Sequence, residues 1–243
     1  MASQLGPAVQ VSAQDLYTYS TIQQHNLGEK AFSTDGRTFR YAKAGAVALV
    51  PGDVQQSPAI VANHVNLTPT AVAAAGDVTI TVTLGATAAT ANQYAGGYLV
   101  IEKGTTGAGQ SLLIKGHPAA ASSATLTLTL SDAVQVATSG TVTASLVANL
   151  YNGTIQTPVT TLTGTPVGVA VGAIPAASFG WICSRGVTGV KADGIIAVGT
   201  VGVAVPAAAA GAAKVMAGTL FEVGMPCKTT IDTQVTPMYV SLD

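Results

Sequence analysis

The chain has 243 residues, ten basic and eleven acidic, for a formal net charge of −1, and only 9% of it is charged, against roughly 25% in an ordinary soluble domain. This excludes a disordered chain, which combines low hydrophobicity with high net charge. It also argues against a nucleic-acid-binding module, whose affinity rests on many Lys and Arg neutralising phosphates.

The length suits one large β domain or two small ones, and such a chain buries roughly 70% of its unfolded surface without needing a disulfide or a metal. Cys183 and Cys227 are the two cysteines. They would pair in a secreted protein and stand as free buried thiols in a cytosolic one. No Cys-x-x-Cys or Cys/His spacing points to zinc.

Residues 1–26 read as an extended N-terminal arm. They show neither a helical stripe nor a clean alternation, and Tyr17 and Tyr19 are their aromatic anchors. Such an arm buries too little to order alone, so it is either disordered or laid across a partner. No basic stretch followed by an apolar run marks a signal peptide.

Asp35-Gly36 is a turn signal, and the run Arg37 to Lys43 after it alternates, with Phe39 and Tyr41 on one face and Arg40 on the other. Ala46 to Val50 ends at Pro51-Gly52, a second turn. Segments 27–65 and 158–243 are expected to form a β core domain, with 66–157 an inserted or projecting β domain. Within that insert, Val78–Leu84 and Thr125–Leu130 alternate strictly, the period of half-buried antiparallel strands.

Beyond 158, recurrent Gly and Pro break any long helix, and Ala207–Met216 is the best short-helix candidate. The uncharged run Ile195–Ala213 alternates Val with Gly or Ala, as a strand would, and does not read as a membrane span. Gly45–Gly52 and Gly194–Gly199 echo each other, as two related hairpins would. The predicted fold class is all-β: antiparallel sandwich or barrel-like domains with an N-terminal arm and little helix.

Catalytic signals are thin. His25, His64 and His117 are far apart, and there is no Gly-x-Ser-x-Gly elbow, His-Glu-x-x-His pair, phosphate loop or calcium loop. The expectation is a protein that is not an enzyme and uses no cofactor or metal.

The surface is the anomaly. Soluble chains cover themselves largely with charge, whereas the predicted solvent faces here are Thr, Ser and Ala. Low charge removes the Coulomb penalty of packing many copies together, and uncharged hydroxyls cost little to desolvate when they find partners. Much of this surface is therefore expected to be buried in repeated contacts of above roughly 1,000 Å² per pair.

The run Leu27-Gly28 … Asp35-Gly36-Arg37-Thr38-Phe39-Arg40-Tyr41-Ala42-Lys43-Ala44-Gly45 resembles the N-terminal signature of tailed-bacteriophage head decoration, or capsid cement, proteins. Pro166-Val-Gly-Val-Ala170 and Phe179-Gly-Trp-Ile-Cys-Ser-Arg-Gly186 are similar to later segments of the same family. The resemblance touches both ends and covers about half of the chain.

It implies a structural protein on the outer capsid surface of the virion, made in the host cytoplasm. Its partners would be the major capsid protein and its own copies as a homotrimer, with no nucleic acid and no membrane. It implies no catalytic residues. Candidate protein-contact residues are Tyr17, Tyr19, Arg37, Phe39, Arg40, Tyr41, Trp181 and Arg185. The alternatives are another phage structural part, such as a tail tube or fibre, and a carbohydrate-binding adhesin module.

Overall fold

A computed structural model describes residues 9–199, 203–218 and 220–243. The chain divides into two compact units, one of residues 1–59 with 150–243 and one of residues 60–149. Both are β structures, in keeping with the all-β expectation.

In chain order the first unit begins with β1 (Val9–Gln10), α1 (Ala13–Leu16), β2 (Lys30–Phe32), β3 (Thr38–Ala44) and β4 (Val54–Gln56). The second unit follows with β5 (Thr68–Pro69), β6 (Thr79–Thr83), β7 (Tyr98–Lys103), β8 (Ser111–Gly116), β9 (Thr125–Leu130) and β10 (Thr143–Val147). The chain then returns through β11 (Asn152–Gln156), β12 (Pro166–Ala170), β13 (Phe179–Lys191), β14 (Val203–Val205), β15 (Lys214–Val215), β16 (Phe221–Pro226) and β17 (Val235–Ser241).

The first unit contains a closed ring of five strands, β3-β11-β4-β12-β13, completed by pairing of β13 with β3. β11 runs parallel to β3, and the other contacts around the ring are antiparallel. Asn152–Gln156, placed by composition in the middle segment, is thus a barrel strand of the first unit. A five-strand ring encloses little space. The cluster of Ala42, Ala44, Leu49, Val167, Ala170, Ile174 and Ile182 has small residues from β3 and β12. At Gly168 a Cβ would come within 2.9 Å of Ile182.

β13 outruns the ring. Its second half, Arg185–Lys191, pairs with β17, which carries β16, β14 and β15 in turn. A second cluster packs there, with Val190, Ile196, Val203, Val223, Met238 and Val240 at its centre.

The second unit follows the predicted alternation. In β9 the leucines are buried and the threonines exposed, and Ile80 and Val82 of β6 join the same core. Its sheet order is β10-β7-β8-β9-β6-β5. Leu67, just before β5, bridges back to Ala144 of β10 through two backbone hydrogen bonds of 2.7 and 2.9 Å.

Three expectations need correction. Of the predicted arm, residues 1–8 lie outside the described residues, and the segment from Val9 to Asn26 is part of the fold. Val11 and Leu16 are buried on the chain's own β structure together with Phe39, Tyr41 and Trp181. Ala207–Met216 is turn and strand, and the α-helix among the described residues is Ala13–Leu16, started by a Ser12/Asp15 capping box. Gly194–Gly199 is loop and not the hairpin its echo of Gly45–Gly52 suggests.

Candidate contact surface

The N-terminal segment is fixed by local chemistry before it packs. The Ser12 N–H donates to the Asp15 carboxylate (3.1 Å) and the Asp15 N–H to Ser12 Oγ (3.2 Å). Together they satisfy donors that a helix start leaves open. The Ser12 side-chain hydrogen bond, then its backbone one, holds the Asp15 carboxyl below the ordinary carboxylate range. This single turn directs Leu16 inward and leaves Tyr17 outside.

Farther on, Ser20 exchanges both backbone hydrogen bonds with Phe179 of β13, at 2.9 and 2.8 Å. Tyr17, Tyr19 and Ile22 consequently stand out from an anchored segment, 60%, 54% and 71% exposed.

Beneath the segment lies an aromatic cluster. Tyr41 meets Trp181 edge-on at 5.0 Å and stacks on Phe179 at 6.1 Å, and the His25 ring lies 5.1 Å from both Tyr41 and Trp181. The Gln24 N–H donates to the Tyr41 hydroxyl. Burial pushes the Tyr41 phenol above its ordinary value, and that hydrogen bond offsets part of the shift.

The predicted contact residues separate into two groups. Phe39, Tyr41 and Trp181 are buried, so they are core residues in this fold and unavailable to a partner. Both faces of β3 are covered, one by the small interior residues of the barrel and the other by the N-terminal segment. Arg40 is committed internally. It donates to the Gly28 carbonyl and to Asp243, which also pairs with Lys30 at 3.0 Å. Burial opposes ionisation of Asp243, but the hydrogen bonds from Arg40 and Lys30 outweigh it and hold its carboxyl low.

Tyr17, Tyr19, Arg37 and Arg185 reach the surface. Arg37 pairs with Asp35 at 2.8 Å and lies over the Phe39 ring. It also lines three shallow depressions. One runs past Tyr17 to Val187, one past Phe32 to Arg185 and Tyr239, and one along Gln10–Leu16. Arg185 is exposed, and its Nε donates to the Tyr239 hydroxyl at 3.3 Å. Sequence reasoning passed over Ile22, Phe32, Val187 and Tyr239. For Tyr239 the letters carry no signal: Val235–Ser241 alternates between exposed and buried positions in the structure, but Val235 and Tyr239 fall on the exposed face and Thr236 on the buried one.

The two buried histidines have structural roles. His117 accepts the Tyr94 N–H at Nε2 and donates from Nδ1 to the Pro118 carbonyl. His64 bonds the Tyr94 hydroxyl and the Thr87 carbonyl. Among the described residues no group of three His, Cys, Asp or Glu side chains could hold a metal ion, and no helix is long and apolar enough to cross a membrane. Both cysteines are free, Cys183 buried and Cys227 exposed.

In comparisons with known proteins, no family model, no curated protein and no solved structure matches this chain.

Proposed function

We propose that this chain is a non-catalytic virion structural protein that binds the outside of a tailed-phage head and cements major capsid subunits together. Copies would associate as homotrimers on the shell. The observation that carries the reading is the anchored N-terminal segment: it is pinned at Leu16 and Ser20, yet presents Tyr17, Tyr19 and Ile22 to solvent beside the depressions around Arg37. Exposed aromatics on a rigid support are the residue types that dominate protein interfaces. The sparse charge and the resemblance of residues 27–45 and 166–186 to cement proteins support the same reading.

The action is mechanical. A molecule bound across several capsid subunits adds binding free energy to the assembled shell alone and stabilises it by mass action. Many modest contacts on one lattice act together through avidity. The segment contributes as a preordered surface and not as a loose arm, so little ordering entropy opposes binding.

The test is to mix the purified chain with expanded heads stripped of decoration and to image them by electron microscopy. Wild type should occupy regular lattice positions, and a Tyr17→Ala/Tyr19→Ala variant should lose most of that occupancy at unchanged melting temperature. Equal occupancy by the variant would refute the contact surface; no occupancy by wild type would refute the capsid reading itself.

A further inference from the structure

We propose that Asn152-Gly153 is a site of spontaneous covalent modification that closure of the first unit's barrel keeps shut. It is the sole Asn-Gly step in the chain. Glycine has no side chain to screen its amide nitrogen or restrict its backbone, so that nitrogen attacks a preceding carboxamide readily. The Gly153 nitrogen bonds to Asn152 Cγ, the bond from Cγ to Nδ2 breaks, and the displaced proton leaves with that nitrogen as ammonia. Water then opens the cyclic imide at either carbonyl, giving aspartate or isoaspartate.

The fold withholds both requirements of the attack, a free amide and a backbone that can turn toward Cγ. Lys43 of β3 donates its N–H to the Tyr151 carbonyl at 2.8 Å, and the parallel register sets Lys43 beside Asn152. In such a pairing the Lys43 carbonyl returns to the Gly153 N–H, because a residue of one strand bonds both neighbours of its opposite number. Asn152 is meanwhile held extended as part of β11. The seam is reinforced one residue on. Thr154, fully buried, donates from Oγ1 to the same Lys43 carbonyl at 2.8 Å and accepts the Gly45 N–H at its own carbonyl at 2.8 Å.

Glycine at 153 is itself a requirement of this seam. Its φ is +90°, while an added Cβ would find nothing closer than Pro58 Cβ at 4.0 Å. Conformation, and not space, reserves the position for glycine. The Asp-Gly steps at 35–36 and 193–194 present a carboxylate in place of the carboxamide, which reacts far more slowly, so Asn152 is the first of these positions to change. Once the ring opens, the Gly153 amide is free. The aspartate product keeps the length of the main chain, but isoaspartate adds a methylene to it. β11 then no longer meets both Lys43 and Gly45 in register, and prolonged opening becomes irreversible.

This concerns the chain alone and is independent of the capsid reading. The experiment holds the full chain in mildly alkaline buffer, native and unfolded in urea, and follows ammonia release and peptide maps for isoaspartate. Refolding on dilution is read from emission of Trp181, which lies in the same ring on β13. The unfolded chain should change first at Asn152, and the native chain at least about a hundredfold more slowly, because its ring must open first. Refolding yield should fall as isoaspartate accumulates, and the chains that fail to refold should carry it. Asn152→Gln, whose longer side chain would have to close a larger ring, should keep its yield over the same time. Equal rates in native and unfolded wild type overturn the proposal, and that comparison needs no variant to fold. So does isoaspartate at 152 in the refolded fraction, or an equal loss of yield by Asn152→Gln.

Discussion

If residues 9–26 belong to the fold, truncating Leu16 must destabilise the first unit as a core substitution does. Leu16 is 2% exposed, and its cluster includes Val11, Phe39, Tyr41, Phe179 and Trp181. Leu→Ala in a packed core costs about 2–5 kcal/mol, depending on how far the surroundings collapse. Leu16 ends a one-turn helix and its neighbours can close in, so the lower part of that range applies, about 2–3 kcal/mol. For a unit of about 150 residues, where each kcal/mol moves Tm by about 2–4 °C, the expected drop is roughly 5–10 °C.

The chain carries its own reporter, because Trp181 is the only tryptophan and sits in the affected cluster. Leu16→Ala should lower the urea midpoint read from Trp181 emission while leaving the slope unchanged, the signature of lost stability without altered compactness. An unchanged midpoint would mean that the segment does not pack on the aromatic cluster, and the account of why Tyr17 and Tyr19 are held outward would fall with it.

Three further perturbations probe the first unit. At Gly211, φ is +71° and an added Cβ would lie 2.6 Å from Asp53 Cβ and Cγ. Gly211→Ala should therefore cost about 3 kcal/mol, whereas Gly194→Ala, at φ +92° in open space, should show only backbone strain of about 1 kcal/mol; equal melting of the two would refute the close approach. A maleimide should modify Cys227 in the native protein and reach Cys183 only on unfolding, since burial pushes the Cys183 thiol up to about 11; equal labelling rates would contradict its burial in β13. Acid behaviour should split between two carboxyls. Burial raises Asp53 despite Lys191 and Gln156, so its contribution is full below the ordinary carboxylate value and is lost as pH rises through its raised native value. Asp243 is depressed, so its contribution is present above the ordinary value and is lost as pH falls through its native one. Melting curves across about pH 2–7 should show Asp53→Asn flattening the first dependence and Asp243→Asn the second.

The elements legible in the sequence are those whose partners are near and whose two faces differ. Thr125–Leu130 shows its role letter by letter, because one face meets core and the other water. The barrel closure was not legible. It depends on β11, a polar Asn-Gly-Thr-Ile-Gln stretch, lying parallel to β3 more than a hundred residues earlier. β3 itself is buried on both faces, so its alternation of Phe39 and Tyr41 with Arg40 suggested a solvent face that only Arg40 and Lys43 partly retain. The order of the N-terminal segment is hidden in the sequence for a related reason. Val11 and Leu16, five residues apart, fit neither a strand nor a helical stripe. Their order comes from an aromatic layer built by β3 and β13, together with one capping box whose residues are recognisable in Ser12 and Asp15.

The sparse charge has different consequences in the two units. In the second unit the exposed faces of β6 and β9 set Thr79, Thr81 and Thr83 opposite Thr129, Thr127 and Thr125. Their hydroxyls can take water or one another, as Thr81 and Thr127 do at 2.9 Å. Such a face is content when wet, and leaving it exposed costs nothing. In the first unit the exposed side chains include Tyr17, Tyr19, Phe32, Phe221 and Tyr239, five of the six exposed aromatics among the described residues. Aromatic rings in water forgo burial worth about 25 cal/mol per Å², a loss that the threonine face does not incur. Most of the exposed aromatic side chains are therefore on the first unit, which also carries the anchored segment and the depressions around Arg37. Contacts with a shell should be sought there first, although residues 60–149 also expose Ile60, Val72, Val78, Tyr98, Val136 and Val147.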